Sequence, residues 1–140
     1  MNVLIDTNVM LDVLLKREPF AADAAKIIFF SERNFITAFI SASTATDIFY
    51  LARKQYQNKE KTYALIKKLF TAVKIASVDE SAIKRALALY WDDCEDCIQY
   101  VAAQDSQTNY IVTRDVTGFA LSDIPAISPA DFVELISPTV

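Results

Sequence analysis

A length of 140 residues with 53% hydrophobic content suits one domain, residues 1–140, with a sizeable core, and excludes a disordered chain. One glycine and no histidine exclude a glycine-rich phosphate loop, every Ser-His-Asp or Cys-His mechanism and every histidine-held zinc site. The net charge of −4 argues at first against nucleic acid, but residues 1–74 carry 11 Lys/Arg against 7 Asp/Glu and residues 75–140 carry 3 against 11. A basic half following a phosphate backbone and an acidic half binding metal would give that split, and so would ordinary solvated helix faces.

In chain order, Val3-Leu4-Ile5 is short and wholly apolar, the pattern of a central parallel strand buried on both faces, and it ends in Asp6. Thr7 is placed to cap a helix running to about residue 16, with Asp12 and Lys16 as an i,i+4 pair on its outer face. Helical spacing predicts a second helix over 20–33, a third over 44–56 with Ser41 and Ser43 as caps, and a fourth over 59–72. Strands are predicted over 35–40 and 73–77. A fifth helix spans 79–90 and a sixth 94–107. Tyr110-Ile111-Val112-Thr113 forms a fourth strand, Ala126-Ile127-Ser128 a short fifth, and Pro129 opens a last helix through Ile136. The alternation predicts an α/β fold with a central parallel sheet of four to five strands flanked by helices.

No apolar run is long enough to span a bilayer, and the chain enters its first strand without a basic leader, so a cytoplasmic location is expected. Cys94 and Cys97 form a C-x-x-C among Asp92, Asp93, Glu95 and Asp96. Acidic neighbours raise thiol pKa values, against what a redox pair needs, so both cysteines are expected to be small half-buried side chains on a helix.

The carboxylates carry the chemistry. Asp6 and Asp115 fall at the carboxyl ends of predicted strands, where ligands bind in such sheets, and Asp47 and Asp96 lie near helix starts. Each alone has an ordinary explanation: Asp6-Thr7-Asn8 as a capping turn, Thr44-x-x-Asp47 as a capping box, the acids at 92–96 as a favoured first turn, and Thr113-Arg114-Asp115 as a β-turn. Jointly they are costly, since two carboxylates about 5 Å apart repel by about 3 kcal/mol at an effective dielectric of 20. Either protons stay on or a cation sits among them, and an all-oxygen set selects magnesium or manganese.

At this point a resemblance is visible. Val3-Leu4-Ile5-Asp6-Thr7-Asn8, then Ile40-Ser41-Ala42 leading to Asp47, then Asp93-Cys94-Glu95-Asp96-Cys97-Ile98-Gln99-Tyr100-Val101-Ala102, and Ile111-Val112-Thr113-Arg114-Asp115 with Phe119 follow one another as in PIN-domain proteins. The chain resembles that family, which includes VapC-type toxins. The resemblance implies a three-layer sandwich and a magnesium- or manganese-dependent endoribonuclease leaving 5′-phosphate and 3′-hydroxyl ends. It implies metal positions at Asp6, Asp96 and Asp115, with Asp47 where the family more often has Glu, Asp93 as an accessory ligand, and Asn8 and Thr113 supporting these acids through hydrogen bonds. Expected partners are RNA and an antitoxin that lays an amphipathic helix between the early helices or reaches into the acidic cleft. A homodimer through the helices at 20–33 and 59–72 is expected as well, and no membrane. Arg17, Arg53, Lys54, Lys59 and Lys61 are candidates for phosphate contacts. Tyr50 is placed in the core and Tyr56 at a helix end, with base stacking the alternative for both. Two other classes fit the acids: a catalytically silent PIN module, and a magnesium-dependent phosphatase, although Asn8 replaces the second acid of D-x-D-x-T.

Overall fold

The structure is a computed structural model that describes residues 1–140. Five parallel strands form one sheet: β1 (Asn2–Ile5), β2 (Thr37–Ser41), β3 (Lys74–Ala76), β4 (Tyr110–Val112) and β5 (Ala126–Ile127). Their order across the sheet is β3-β2-β1-β4-β5. Seven α-helices connect and flank them: α1 (Thr7–Leu14), α2 (Ala21–Glu32), α3 (Ala42–Tyr56), α4 (Lys59–Leu69), α5 (Glu80–Leu89), α6 (Cys94–Asp105) and α7 (Pro129–Ile136).

The sheet is covered on both sides because its central strand is apolar from Val3 to Ile5. Successive side chains of a strand point to opposite faces. Val3 and Ile5 enter one core with residues of α1, α2, α3, α4 and α7, and Leu4 enters a second core with α5 and α6. All three are fully buried. The expected α/β sandwich is the observed one.

The strand order places the site. The chain runs outward from β1 through β2 to β3, then returns to the other side of β1 as β4. Ile5 lies opposite Val112, so β1 and β4 end side by side. The order reverses there, and reversal opens a crevice beyond the strand ends.

Several local expectations change. Asp6, and not Thr7, occupies the N-cap position of α1. That helix stops at Leu14, with Lys16 at φ 53°, so the expected Asp12–Lys16 pair does not form. Asp12 is fully buried, and Arg114 at the end of β4 donates to it through Nε at 2.8 Å and a terminal nitrogen at 3.2 Å. Helix α4 ends at Leu69 rather than near residue 72. Ser41 caps α3 by accepting from the Thr44 amide, which leaves Asp47 well inside the helix and free of any capping box. Pro129 opens α7 as expected, with Ser128 as its cap. No helix is long and apolar enough to cross a membrane.

Candidate metal centre

Asp6 follows the last residue of β1, and its backbone amide donates to the Val112 carbonyl of β4. Its side chain does not cap α1, although it stands at the cap position. Both carboxylate oxygens are turned elsewhere: Gln99 Nε2 donates to Oδ1 at 2.9 Å, and Thr113 Oγ1 donates to Oδ2 at 2.8 Å. Asp6 is 4% exposed and lines the floor of an open cleft of about 370 Å³. Its role is therefore not that of a plain capping turn.

Asp47, Asp93, Glu95 and Asp96 line the same cleft, with Asn8, Tyr50 and Gln99. Asp93 is the N-cap of α6 and accepts from the Asp96 amide at 3.0 Å, so one of its oxygens already has a backbone donor. Asp96 is in the first turn of α6, where the helix dipole favours negative charge. A second cavity of about 320 Å³ adjoins the first: Asp93 and Asp96 line both, and Asp115, Gly118 and Trp91 line the second. Asp115 is held by its own turn, since the Gly118 amide and the Thr117 hydroxyl both donate to Oδ1 at 3.1 Å. Thr113 ties the two strand-end acids together, because its hydroxyl accepts from the Asp115 amide at 2.9 Å while donating to Asp6.

No cation answers this charge. The three ion pairs of the chain are Lys84–Glu80, Arg85–Asp105 and Arg114–Asp12. The Asp96 carboxyl is pushed up to about 7 by burial and by the charges of Asp93, Asp6 and Asp115. Glu95 is likewise pushed up to about 7, by a hydrogen bond to Asp47, burial, and the charges of Asp47, Asp93 and Asp96. The donor set is all oxygen, which suits magnesium or manganese. The acids surround the cleft without closing on one point, and no three are gathered into a ready-made cage. Carboxylates lacking a counter-ion repel one another, and repulsion favours this spread.

Acids whose folded pKa is raised hold protons in the folded state that the unfolded chain has lost. Stability therefore falls as pH rises from about 4, where unfolded carboxylates ionise, through about 7. In chelator, thermal unfolding should begin at a lower temperature at pH 8 than at pH 5.5, and manganese should restore the loss. A pH-independent melting temperature would contradict this electrostatic picture.

Gly118 reports the crowding at Asp115. A Cβ there would stand 2.5 Å from Asp115 Oδ2 and 3.1 Å from Asp96 Oδ2, and its backbone is not in the left-handed region. Gly118→Ala should therefore leave the fold in place and displace the Asp115 carboxylate. An expected weakening of manganese affinity of about 10–100-fold follows, checked by calorimetry; wild-type affinity would show that Asp115 is not needed.

Asn8 lines the cleft but makes no hydrogen bond to the acids, and the support expected from it comes from Gln99, which sequence reasoning missed. Glu95 is expected only as a first-turn acid, yet it lines the cleft beside Asp47. Tyr50 is 67% exposed on the cleft wall and is not core. Tyr56 ends α3 as expected. None of Arg17, Arg53, Lys54, Lys59 and Lys61 lines either acidic cavity. Cys94 is exposed and Cys97 buried, and both are free thiols.

The sequence matches the PIN domain family model over residues 2–117. The chain belongs to the PIN domain family. As a PIN domain it superposes on a toxin–antitoxin complex from Klebsiella pneumoniae with a TM-score of 0.66 at 23% identity, over 91% of this chain and 97% of that one. VapBC-1 from nontypeable Haemophilus influenzae gives 0.67 at 20% identity, over 93% and 99%. VapC20 from Mycobacterium tuberculosis, a sarcin-ricin loop cleaving toxin, gives 0.60 at 13% identity, over 78% and 86%. No curated protein matches the sequence.

Proposed function

We propose that this PIN domain is a magnesium- or manganese-dependent endoribonuclease and the toxin of a toxin–antitoxin pair. The observation that carries the reading is the meeting of acids from the ends of β1 and β4 and the start of α6 around cavities that share a wall, with no cationic side chain to balance them. Toxin–antitoxin complexes and a sarcin-ricin loop cleaving toxin among its structural neighbours support it.

In this reading Asp6, Asp96 and Asp115 hold the ion. Asp47, one methylene shorter than Glu, would act through a water, and Asp93 would offer the oxygen its cap leaves free. A bound divalent ion supplies polarisation of the phosphate and a water activated near neutral pH. The protein's own contribution is placement. Gln99 and Thr113 fix both oxygens of Asp6, and the turn at Gly118 fixes Asp115. Asp96 must lose its proton before it can ligate, so ion affinity should rise with pH up to about 7. Exposed Tyr50 offers a face on which an unpaired base can stack.

The antitoxin has a seat in this reading. A groove between α1, α2, α3 and α4 is lined by Val13, Leu14, Ile28, Tyr56, Leu65 and Leu69, together with Lys16, Lys61 and Lys68 against a single acid, Glu32. It suits the apolar face of an amphipathic helix with acidic flanks.

The function is tested by incubating the protein with single-stranded RNA and manganese. Cleavage to 5′-phosphate and 3′-hydroxyl ends, stopped by chelator, is expected. Cyclic-phosphate ends, or cleavage indifferent to chelator, would contradict the proposed chemistry.

A further inference from the structure

We propose that Gln99 is a positioning residue of this cleft, whose carboxamide locks the Asp6 carboxylate to the helix carrying Asp96 so that the two acids are held as one unit. The inference rests on the metal-site reading above.

Gln99 is 1% exposed, and its side chain lies in a buried polar seam. Its Nε2 donates to Asp6 Oδ1 at 2.9 Å, and its Oε1 accepts from the Thr7 amide at 3.3 Å and the Thr44 hydroxyl at 3.4 Å. The partners dictate the orientation. A backbone amide can only donate and an ionised carboxylate can only accept, so the oxygen must face Thr7 and the nitrogen Asp6. A side chain here needs one donor and one acceptor on a long arm. Leucine and methionine offer no donor, an ionised glutamate offers none either, and asparagine is one methylene short.

Gln99 lies three residues after Asp96, on the same face of α6. It thus joins the end of β1 and the start of α1 to the helix that presents Asp96. Gln99 and Thr113 each engage one Asp6 oxygen, and a carboxylate has about four lone-pair sites. Each oxygen keeps a lone pair free for an ion. Removing a donor that orients a ligating carboxylate typically costs about 10–100-fold in metal affinity.

The alternative is that Gln99 only satisfies buried polar groups. Thr44 separates the two roles. Its hydroxyl is fully buried in the same seam, bonded to Thr7, Ser41 and, at 3.4 Å, Gln99, but it touches none of the acids, and without it Gln99 keeps both the Thr7 amide and Asp6. The experiment compares Gln99→Met and Thr44→Val for melting temperature in chelator, manganese dissociation constant by calorimetry, and kcat and KM on single-stranded RNA. Both variants are expected to melt earlier. Only Gln99→Met should weaken manganese binding, by about 10–100-fold, and lower kcat with KM unchanged. Gln99→Asn, which keeps a buried amide, is read the same way if the methionine variant does not fold. Wild-type manganese affinity in a folded Gln99 variant, or an equal loss in Thr44→Val, would overturn the proposal and leave the metal site standing. A wild-type protein that binds no manganese would overturn both.

Discussion

Asp6→Asn is expected to slow manganese-dependent RNA cleavage by about 10³-fold while leaving the fold intact. The site's ion is asked for several kcal/mol of transition-state charge stabilisation, and each 1.36 kcal/mol is a factor of ten. Asparagine matches aspartate in shape. Its carbonyl can still accept from Gln99 Nε2, and its amide can donate to the Thr113 hydroxyl oxygen, although the Thr113 hydrogen loses the acceptor it has in Asp6. Loss of the charge also removes one of the causes that push Asp96 up to about 7. The variant should therefore melt no earlier than the wild type in chelator at pH 8. Steady-state cleavage and thermal unfolding on the same preparation check both halves. Undiminished cleavage would remove Asp6 from the mechanism, and a collapsed fold would make its role structural.

The second large effect concerns stability. Arg114→Met should destabilise the protein by about 3–5 kcal/mol, because it strands a buried carboxylate without its partner. Asp12 is 0% exposed, and Arg114 reaches it with a two-nitrogen fork. The guanidinium also lies 4.1 Å from the centroid of the Phe20 ring, adding a cation–π contact. The melting temperature should fall by about 10–20 °C. Asp12→Leu combined with Arg114→Met removes both charges, leaves the net charge unchanged and should recover most of the loss, as apolar replacements of buried pairs do. A double variant no more stable than the single one would show that the pair contributes more than mutual neutralisation.

The central sheet was legible because it is written in local pattern. Val3-Leu4-Ile5 admits no exposed face, and Ile111-Val112 repeats the case in the neighbouring strand. The acids were legible for a related reason: Asp6 and Asp115 sit where strands visibly stop. What escaped depends on pairing across the chain. Asp12 looked like one half of a surface i,i+4 pair, and nothing nearby announces a partner 102 residues away. The end of α1 at Leu14, with Lys16 left-handed, cannot be read from a helix-compatible run. Gln99 carries no sequence signal beyond its spacing of three from Asp96, and its importance appears only when α6 packs over the end of β1. Tyr50 is expected in the core, but the face of α3 that carries it borders the cleft.

Crystals soaked in manganese, measured for anomalous scattering, test most directly whether these acids exist to hold an ion. An anomalous peak within ligating distance of Asp6, Asp96 and Asp115, lost in Asp6→Asn, is the predicted result. A cleft with no peak, or one whose peak survives that substitution at full height, would contradict the account.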